Sequence, residues 1–146
     1  MFPDDADVLK VRDAMFDPFE YLMLRHKDNK LNTEFATSLG KVSYQVPCHL
    51  RVQNIGLKTR DLLQLVPDTS VEAIERCSGH DGTYAVKKEF HDISKKIARP
   101  VVTRVNKAEA DHFTSDCPMA AEQIAQGLEN HHGEHPMGLL RKAYGI

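Results

Sequence analysis

Apolar side chains recur at helical spacing near the N-terminus and predict two helices. Between residues 8 and 15, two valines and a methionine fall three and four residues apart, as on one helix face. Asp17 then has the character of an N-cap, with Pro18 at the first helical position, and predicts a second helix to about residue 25. The polar stretch 27–40 follows and indicates a loop.

Three later runs are β-prone, and each ends at a cysteine that is followed by a turn and then a helical pattern. This recurring unit fits parallel strands joined by helical crossovers, whose carboxyl ends meet at one edge of the sheet. We therefore predict an α/β fold with a small parallel sheet and flanking helices, in which three cysteines lie at the carboxyl ends of three strands. The runs are residues 42–48, 71–77 and 112–117, ending in Cys48, Cys77 and Cys117.

The segments between and after these strands have helical patterns. One helix is predicted at about 53–66, and a second begins near residue 86 with apolar residues at steps of four, three and four. Pro100 is expected to break or kink this second helix, with a further helical piece beyond it. Two more helices are predicted to begin at Pro118 and Pro136.

Length and composition allow a folded domain without naming its function. The 146 residues predict one domain, with a helical lead-in at 1–40, an α/β core at 41–128 and a C-terminal helix at 129–146. A formal net charge of −2 gives no case for nucleic-acid binding. No apolar run reaches the roughly 18 residues of a membrane span, and the acidic N-terminus is unlike a signal peptide, so a cytoplasmic location is expected.

Charge is nevertheless unevenly distributed along the chain. Residues 1–20 carry six acidic and two basic side chains, whereas residues 87–107 carry seven basic and two acidic ones. The basic stretch fits either a solvated helix face or a docking surface for an acidic partner.

Three thiols at one sheet edge favour a shared ligand. Iron–sulfur clusters and zinc both require thiolates that converge from separate chain positions. Backbone N–H groups at helix starts after the three cysteines would stabilise thiolates. The alternative is that the cysteines are buried fillers, since unpaired cysteine behaves as a small hydrophobic residue.

The sequence around the cysteines resembles the cysteine-rich CCG domain, from about residue 44 to residue 127. The matching words are Val-Pro-Cys-His at 46–49, Glu-Arg-Cys-Ser-Gly-His-Asp-Gly-Thr-Tyr at 75–84 and Ser-Asp-Cys-Pro at 115–118. That domain occurs in the heterodisulfide reductase B/D subunits, in the C subunit of anaerobic glycerol-3-phosphate dehydrogenase and in the iron–sulfur subunit of glycolate oxidase.

The family pattern is one cysteine, then Cys-Cys-Gly, then Cys-x-x-Cys, and the chain retains three of the five. Ser78 stands at the second cysteine of the pair, Gly79 matches its glycine, and Ala120 stands at the last cysteine. The full set binds an iron–sulfur centre in the family. The resemblance therefore implies a single iron–sulfur cluster, or alternatively zinc, whose fourth position is filled by a histidine, water or substrate. The implied protein ligands are Cys48, Cys77, Cys117 and, as a candidate, His80.

The histidines have competing interpretations. His80 lies three residues after Cys77 in a glycine-flanked turn, where it fits either a metal ligand or a hydrogen-bonded turn residue. For His49 the hydrogen-bonded interpretation is favoured. The cluster near the last helix favours solvation or helix capping over metal binding, and its members are His131, His132 and His135.

Two functional classes follow from the resemblance. The first is a redox domain that relays electrons or performs thiol–disulfide chemistry, supplied by an electron-carrier protein or a ferredoxin-type partner domain. Such a chain could be the C-terminal part of a longer iron–sulfur oxidoreductase. The second class is a degenerate zinc-binding or interaction module with the same fold. A thiol enzyme with a cysteine nucleophile and a histidine base is a weaker third interpretation.

Overall fold

The computed structural model describes residues 4–129 and 132–146. Contacts divide the chain into two compact units, the first reaching to Asn32 and the second running from Thr33 to Ile146. Within the described ranges, no helix combines the length and apolar character needed to cross a membrane.

The first unit contains two capped helices, as the sequence predicts. Helix α1 (Ala6–Ala14) is capped by the Asp5 carboxylate, which accepts hydrogen bonds from two backbone N–H groups of the first turn. Helix α2 (Pro18–Lys27) begins after Asp17, whose side chain caps it in the same way. Both caps satisfy N–H groups that have no partner inside the helix.

The second unit is built on a four-stranded, entirely parallel sheet in the order β2-β1-β3-β4. The predicted α/β fold is therefore confirmed, and its three predicted strands are neighbours. The fourth strand was not predicted, because two residues are too few to produce an alternating pattern. The strands are β1 (Gly40–Gln45), β2 (Thr69–Ile74), β3 (His112–Thr114) and β4 (Gly133–Glu134).

Strand β1 lies at the centre of the sheet and is buried on both faces, as central parallel strands are. On one face Val42 packs in an apolar cluster with Leu63 and Leu139. On the other face the cluster joins Ile74 of β2 and Phe113 of β3 to the helices that cover them. The α-helices of this unit are α3 (Cys48–Gln53), α4 (Lys58–Leu63), α5 (His91–Ala108), α6 (Pro118–Ala125) and α7 (Pro136–Ala143). Helices α4 and α7 contribute to the first layer, and α5 and α6 to the second.

The single helix predicted at 53–66 is wrong. The chain forms α3 and α4 instead, separated where Asn54 and Gly56 adopt left-handed backbone with φ of 55° and 81°. A helical segment after Cys48 was expected, but it begins at the cysteine itself rather than at about residue 53.

The apolar face predicted for the helix from residue 86 is also wrong. Val86 precedes α5, and Ile93 and Ile97 are 44% and 41% exposed, whereas small side chains and valines of the adjacent face are buried. Pro100 does not break α5, which continues to Ala108. The prediction that the residues after Pro100 are helical is therefore confirmed.

Strand β4 carries a half-buried ion pair at the sheet edge. The Glu134 carboxylate contacts Lys142 of α7 and lies 2.9 Å from Nδ1 of His112 on the neighbouring strand. Burial raises the pKa of Glu134, but hydrogen bonds and charge attraction from Lys142 and His112 outweigh it and leave the pKa below its usual value. This pair fastens the short edge strand to α7 and β3.

Candidate metal or cluster site

The strand register brings the three cysteines to the same edge of the sheet. Each cysteine lies three residues beyond the end of its strand, with strand ends at Gln45, Ile74 and Thr114. Gln45 pairs directly with Ile74, and Tyr44 pairs with Thr114, so the strands end at nearly the same level. Equal offsets from aligned strand ends place three thiols at one edge of the sheet, although they are 29 and 40 residues apart in sequence.

These thiols line one pocket with a volume of about 420 Å³. His80 lines the same pocket, so the structure brings together all four residues that the sequence nominated. Ser78 and Ala120, which replace the two remaining family cysteines, also line it. All five cysteine positions of the family pattern therefore converge here. The nominated residues are Cys48, Cys77, Cys117 and His80.

The cysteines are free thiols, with Cys48 and Cys77 exposed and Cys117 partly buried. Within residues 4–129 and 132–146, no three His, Cys, Asp or Glu side chains are close enough to hold one metal ion. Ligation by all three thiols therefore requires their side chains or loops to move inward across the pocket.

His80 provides an independent sign of a ligand. Its Nε2 atom is buried and has no hydrogen-bond partner among the described residues. A buried polar atom is normally paired, because leaving it unsatisfied costs free energy. An imidazole nitrogen in this state, in a pocket lined by three thiols, fits the donor set of a metal or iron–sulfur centre.

The loop that carries Cys77 and His80 is fixed to helix α5. Ser94 donates a 2.6 Å hydrogen bond to the Gly79 carbonyl, and Gln123 of α6 donates to the same hydroxyl at 2.7 Å. A β-carbon at Gly79 would lie 2.2 Å from the Ser94 carbonyl oxygen, and the backbone φ of Gly79 is 77°. Only glycine therefore fits, because it tolerates both the close approach and the left-handed backbone.

The expected helix start directly after Cys77 is absent, because turns and a three-residue 3-10 helix, Lys88–Phe90, precede α5 at His91. The backbone N–H of Gly79 lies 3.4 Å from the Cys77 sulfur instead. Turn geometry thus supplies an amide donor at this thiol where a helix was predicted. At the other two cysteines the expectation is correct, since α3 begins at Cys48 and Cys117 is the N-cap of α6.

The buried polar side chain of Gln45, beside the cysteines, was missed in the sequence. Gln45 is 1% exposed, and its side chain hydrogen-bonds the carbonyl oxygens of Val46 and Arg76 and the hydroxyl of Ser115. Nothing in the sequence distinguishes this glutamine from a solvent-facing strand residue, because its partners become neighbours only in the sheet.

Asp116, directly before Cys117, is a partly buried polar residue beside the same cysteines. Its carboxylate accepts hydrogen bonds from the Tyr44 hydroxyl at 2.6 Å and the Thr59 hydroxyl at 2.7 Å. These bonds tie the loop after β3 to β1 and α4, and so hold the segment from which Cys117 projects.

The other histidines have different roles. His49 also lines the pocket. His132 is exposed, and His131 lies outside the described residues. The capping interpretation of His135 is confirmed, since its Nδ1 accepts a 3.2 Å hydrogen bond from the Met137 backbone N–H at the start of α7.

A parallel α/β sheet with thiols following three adjacent strands defines a cysteine-rich α/β domain. The model of the CCG family, described as a cysteine-rich domain, matches residues 42–124, and the chain belongs to this family. It is also 33% identical over 104 residues to the C subunit of anaerobic glycerol-3-phosphate dehydrogenase from Escherichia coli K12, and equally to that from Escherichia coli O157:H7. The alignment covers 70% of this chain and 26% of each relative, so the chain spans about a quarter of their length.

Proposed function

We propose that this domain is part of an oxidoreductase and holds a single iron–sulfur cluster with Cys48, Cys77 and Cys117. His80 is the candidate fourth ligand. The observation that carries this proposal is the pocket lined by all four residues, one of which has a buried nitrogen without a partner among the described residues. Membership of the CCG family and similarity to a dehydrogenase subunit support the same assignment.

The bound centre would supply one-electron chemistry, and the chain would bind and orient it. The thiolates hold negative charge, which the Gly79 N–H stabilises at Cys77. Ser78 and Ala120 leave three thiolates in the pocket, which suits one small centre better than a larger assembly. An open fourth position, if His80 is not a ligand, would admit water or a substrate thiol.

Anaerobic purification with quantification of iron, acid-labile sulfide and zinc tests this proposal. We expect a brown protein with broad visible absorption and iron and sulfide in comparable amounts. Stoichiometric zinc without sulfide would instead support the second candidate function, a non-redox zinc module. The loss of two family cysteines is the observation that favours this candidate. Neither metal, even after reconstitution with iron and sulfide, would reject both proposals.

A partner protein belongs to the same proposal. The relatives are named as subunits, and so belong to a larger assembly, and a redox role here requires an electron carrier or a ferredoxin-type domain. The same proposal includes a cytoplasmic location and a place as the C-terminal part of a longer iron–sulfur oxidoreductase. It also includes the division of the chain into a helical lead-in, an α/β core and a C-terminal helix.

The docking surface that we propose for this carrier is the amino-terminal half of α5 and the turn before it. Lys87, Lys88, Lys95 and Lys96 are exposed there, and none forms an ion pair with another described residue. Ile93 and Ile97 lie exposed on the same helix. The Ser94 bond to Gly79 joins this surface to the cysteine loop, so a partner bound here lies near the site.

Reversing these four lysines to glutamate is expected to slow electron transfer from an acidic carrier, most strongly at low ionic strength. The reason is that attraction between exposed charges accelerates encounter and is screened by salt. Stopped-flow reduction at several salt concentrations measures the rate of electron transfer and its dependence on ionic strength. A single Lys96→Glu change should slow electron transfer more than Lys107→Glu does, because Lys107 lies at the far end of α5. Unchanged rates at low salt in the fourfold variant would rule out this surface.

A further inference from the structure

We infer that Gln45 is the positioning residue that holds the three cysteine segments in register as one site. It lies at the last position of β1, where the central strand meets the pocket. The inference rests on the proposed function only in treating the three cysteines as parts of one site.

The Gln45 amide contacts all three segments. Its Nε2 donates 2.9 Å hydrogen bonds to the carbonyl of Val46, two residues before Cys48, and to that of Arg76, directly before Cys77. Its Oε1 accepts a 2.8 Å hydrogen bond from the Ser115 hydroxyl, two residues before Cys117.

The Ser115 hydroxyl extends this contact to the third cysteine itself. It accepts a 3.3 Å hydrogen bond from the Cys117 backbone N–H, so two hydrogen bonds connect the Gln45 amide to Cys117. Gln45 and Ser115 are 1% and 0% exposed, and water therefore cannot replace either partner. A glutamine amide has an NH₂ group with two N–H donors and a carbonyl oxygen that accepts. It can therefore bond to two carbonyls and a hydroxyl at once.

Burial alone does not explain a polar residue here. Ser43, two residues earlier on β1, is also fully buried, yet its hydroxyl has no partner among the described residues. The strand thus accommodates a polar group without any connection to the loops. The Gln45 bonds are specific to the end of the strand, where the cysteine segments begin.

The test is the binding of phenylarsine oxide to the reduced, metal-free full chain. This arsenical condenses with two thiols, forming two As–S bonds and releasing water, and so reports whether cysteines are held together without any metal. Gln45→Met keeps the side-chain length and removes both donor and acceptor. We expect a loss of affinity of about fivefold, the effect of losing one ordinary hydrogen bond.

The control is Val42→Ala, which lowers stability from the same strand without touching the cysteine segments. It should retain wild-type arsenical affinity. Equal affinity in wild type and Gln45→Met, an equal loss in Val42→Ala, or no tight binding by wild type would each overturn the inference. Because no iron is present, failure of the cluster proposal leaves this result unaffected.

Should Gln45→Met fail to fold, Ser115→Ala tests the branch to Cys117 alone. Alkylation after arsenical binding, followed by mass spectrometry, identifies the protected thiols. We expect protection of Cys117 to fall while that of Cys48 and Cys77 persists. Wild-type protection of Cys117 in this variant would overturn the inference.

Discussion

Replacing any one of the three cysteines with alanine is expected to abolish retention of the proposed centre. Each removes one of only three thiolates, and Ser78 and Ala120 leave no spare cysteine in the pocket. The protein itself should remain folded, because the thiols are exposed or only partly buried and point mutants cost about 1 kcal/mol on average. Iron and sulfide content after anaerobic purification, with circular dichroism, measures both effects. The variants are Cys48→Ala, Cys77→Ala and Cys117→Ala.

Two histidine variants complete this experiment. His132→Ala changes an exposed side chain that does not line the pocket, and should retain wild-type iron. His80→Ala should weaken retention or shift the visible spectrum, because it removes the buried nitrogen. An unchanged His80→Ala spectrum would assign the fourth position to another ligand. Wild-type metal content in all three cysteine variants would show that the thiols are not ligands.

Gly79→Ala is expected to lower the free energy of unfolding and to disrupt the site together. The left-handed backbone alone costs a side chain roughly 1–3 kcal/mol. The new β-carbon would also lie 2.2 Å from the Ser94 carbonyl oxygen, so the cysteine loop must move away from α5. Chemical denaturation measures the stability, and iron retention or arsenical affinity measures the site.

Gly82 offers a matched control in the same loop. Its φ is 55°, but a β-carbon there meets no atom within 4 Å. Gly82→Ala therefore reports the backbone cost without the overlap, and should be the milder variant in both measurements. Equal losses in the two variants would mean that the contact between Gly79 and α5 does not hold the loop.

Local signals allowed the sheet to be predicted from sequence. The three strands that precede the cysteines, and the cap at Asp17 with Pro18 at the first helical position, depend on residues close together in the chain. The wrong face of α5 has a physical cause. Small side chains such as Ser94 and Ala98 are buried where the helix and the cysteine loop approach closely, whereas Ile93 and Ile97 lie outside this contact.

The candidate site was predictable only as far as its thiols and His80. Cysteines stand out by residue type, and parallel topology then predicts that they meet. The supporting residues do not stand out, because they act through contacts that are distant in sequence. Gln45 bonds to Arg76, 31 residues away, and to Ser115, 70 residues away. Two-residue strands and six-residue helices are equally hard to predict, since they are too short to show a repeating pattern.

The equal three-residue spacing between strand ends and cysteines makes the site sensitive to the length of these connections. An extended residue advances the chain by about 3.3 Å, more than the length of a metal–sulfur bond of about 2.3 Å. One residue inserted or deleted before any of the cysteines would therefore move its thiol away from the other two, even if every strand and helix survived. Substitutions at exposed positions such as Glu75 and Arg76 leave that spacing intact.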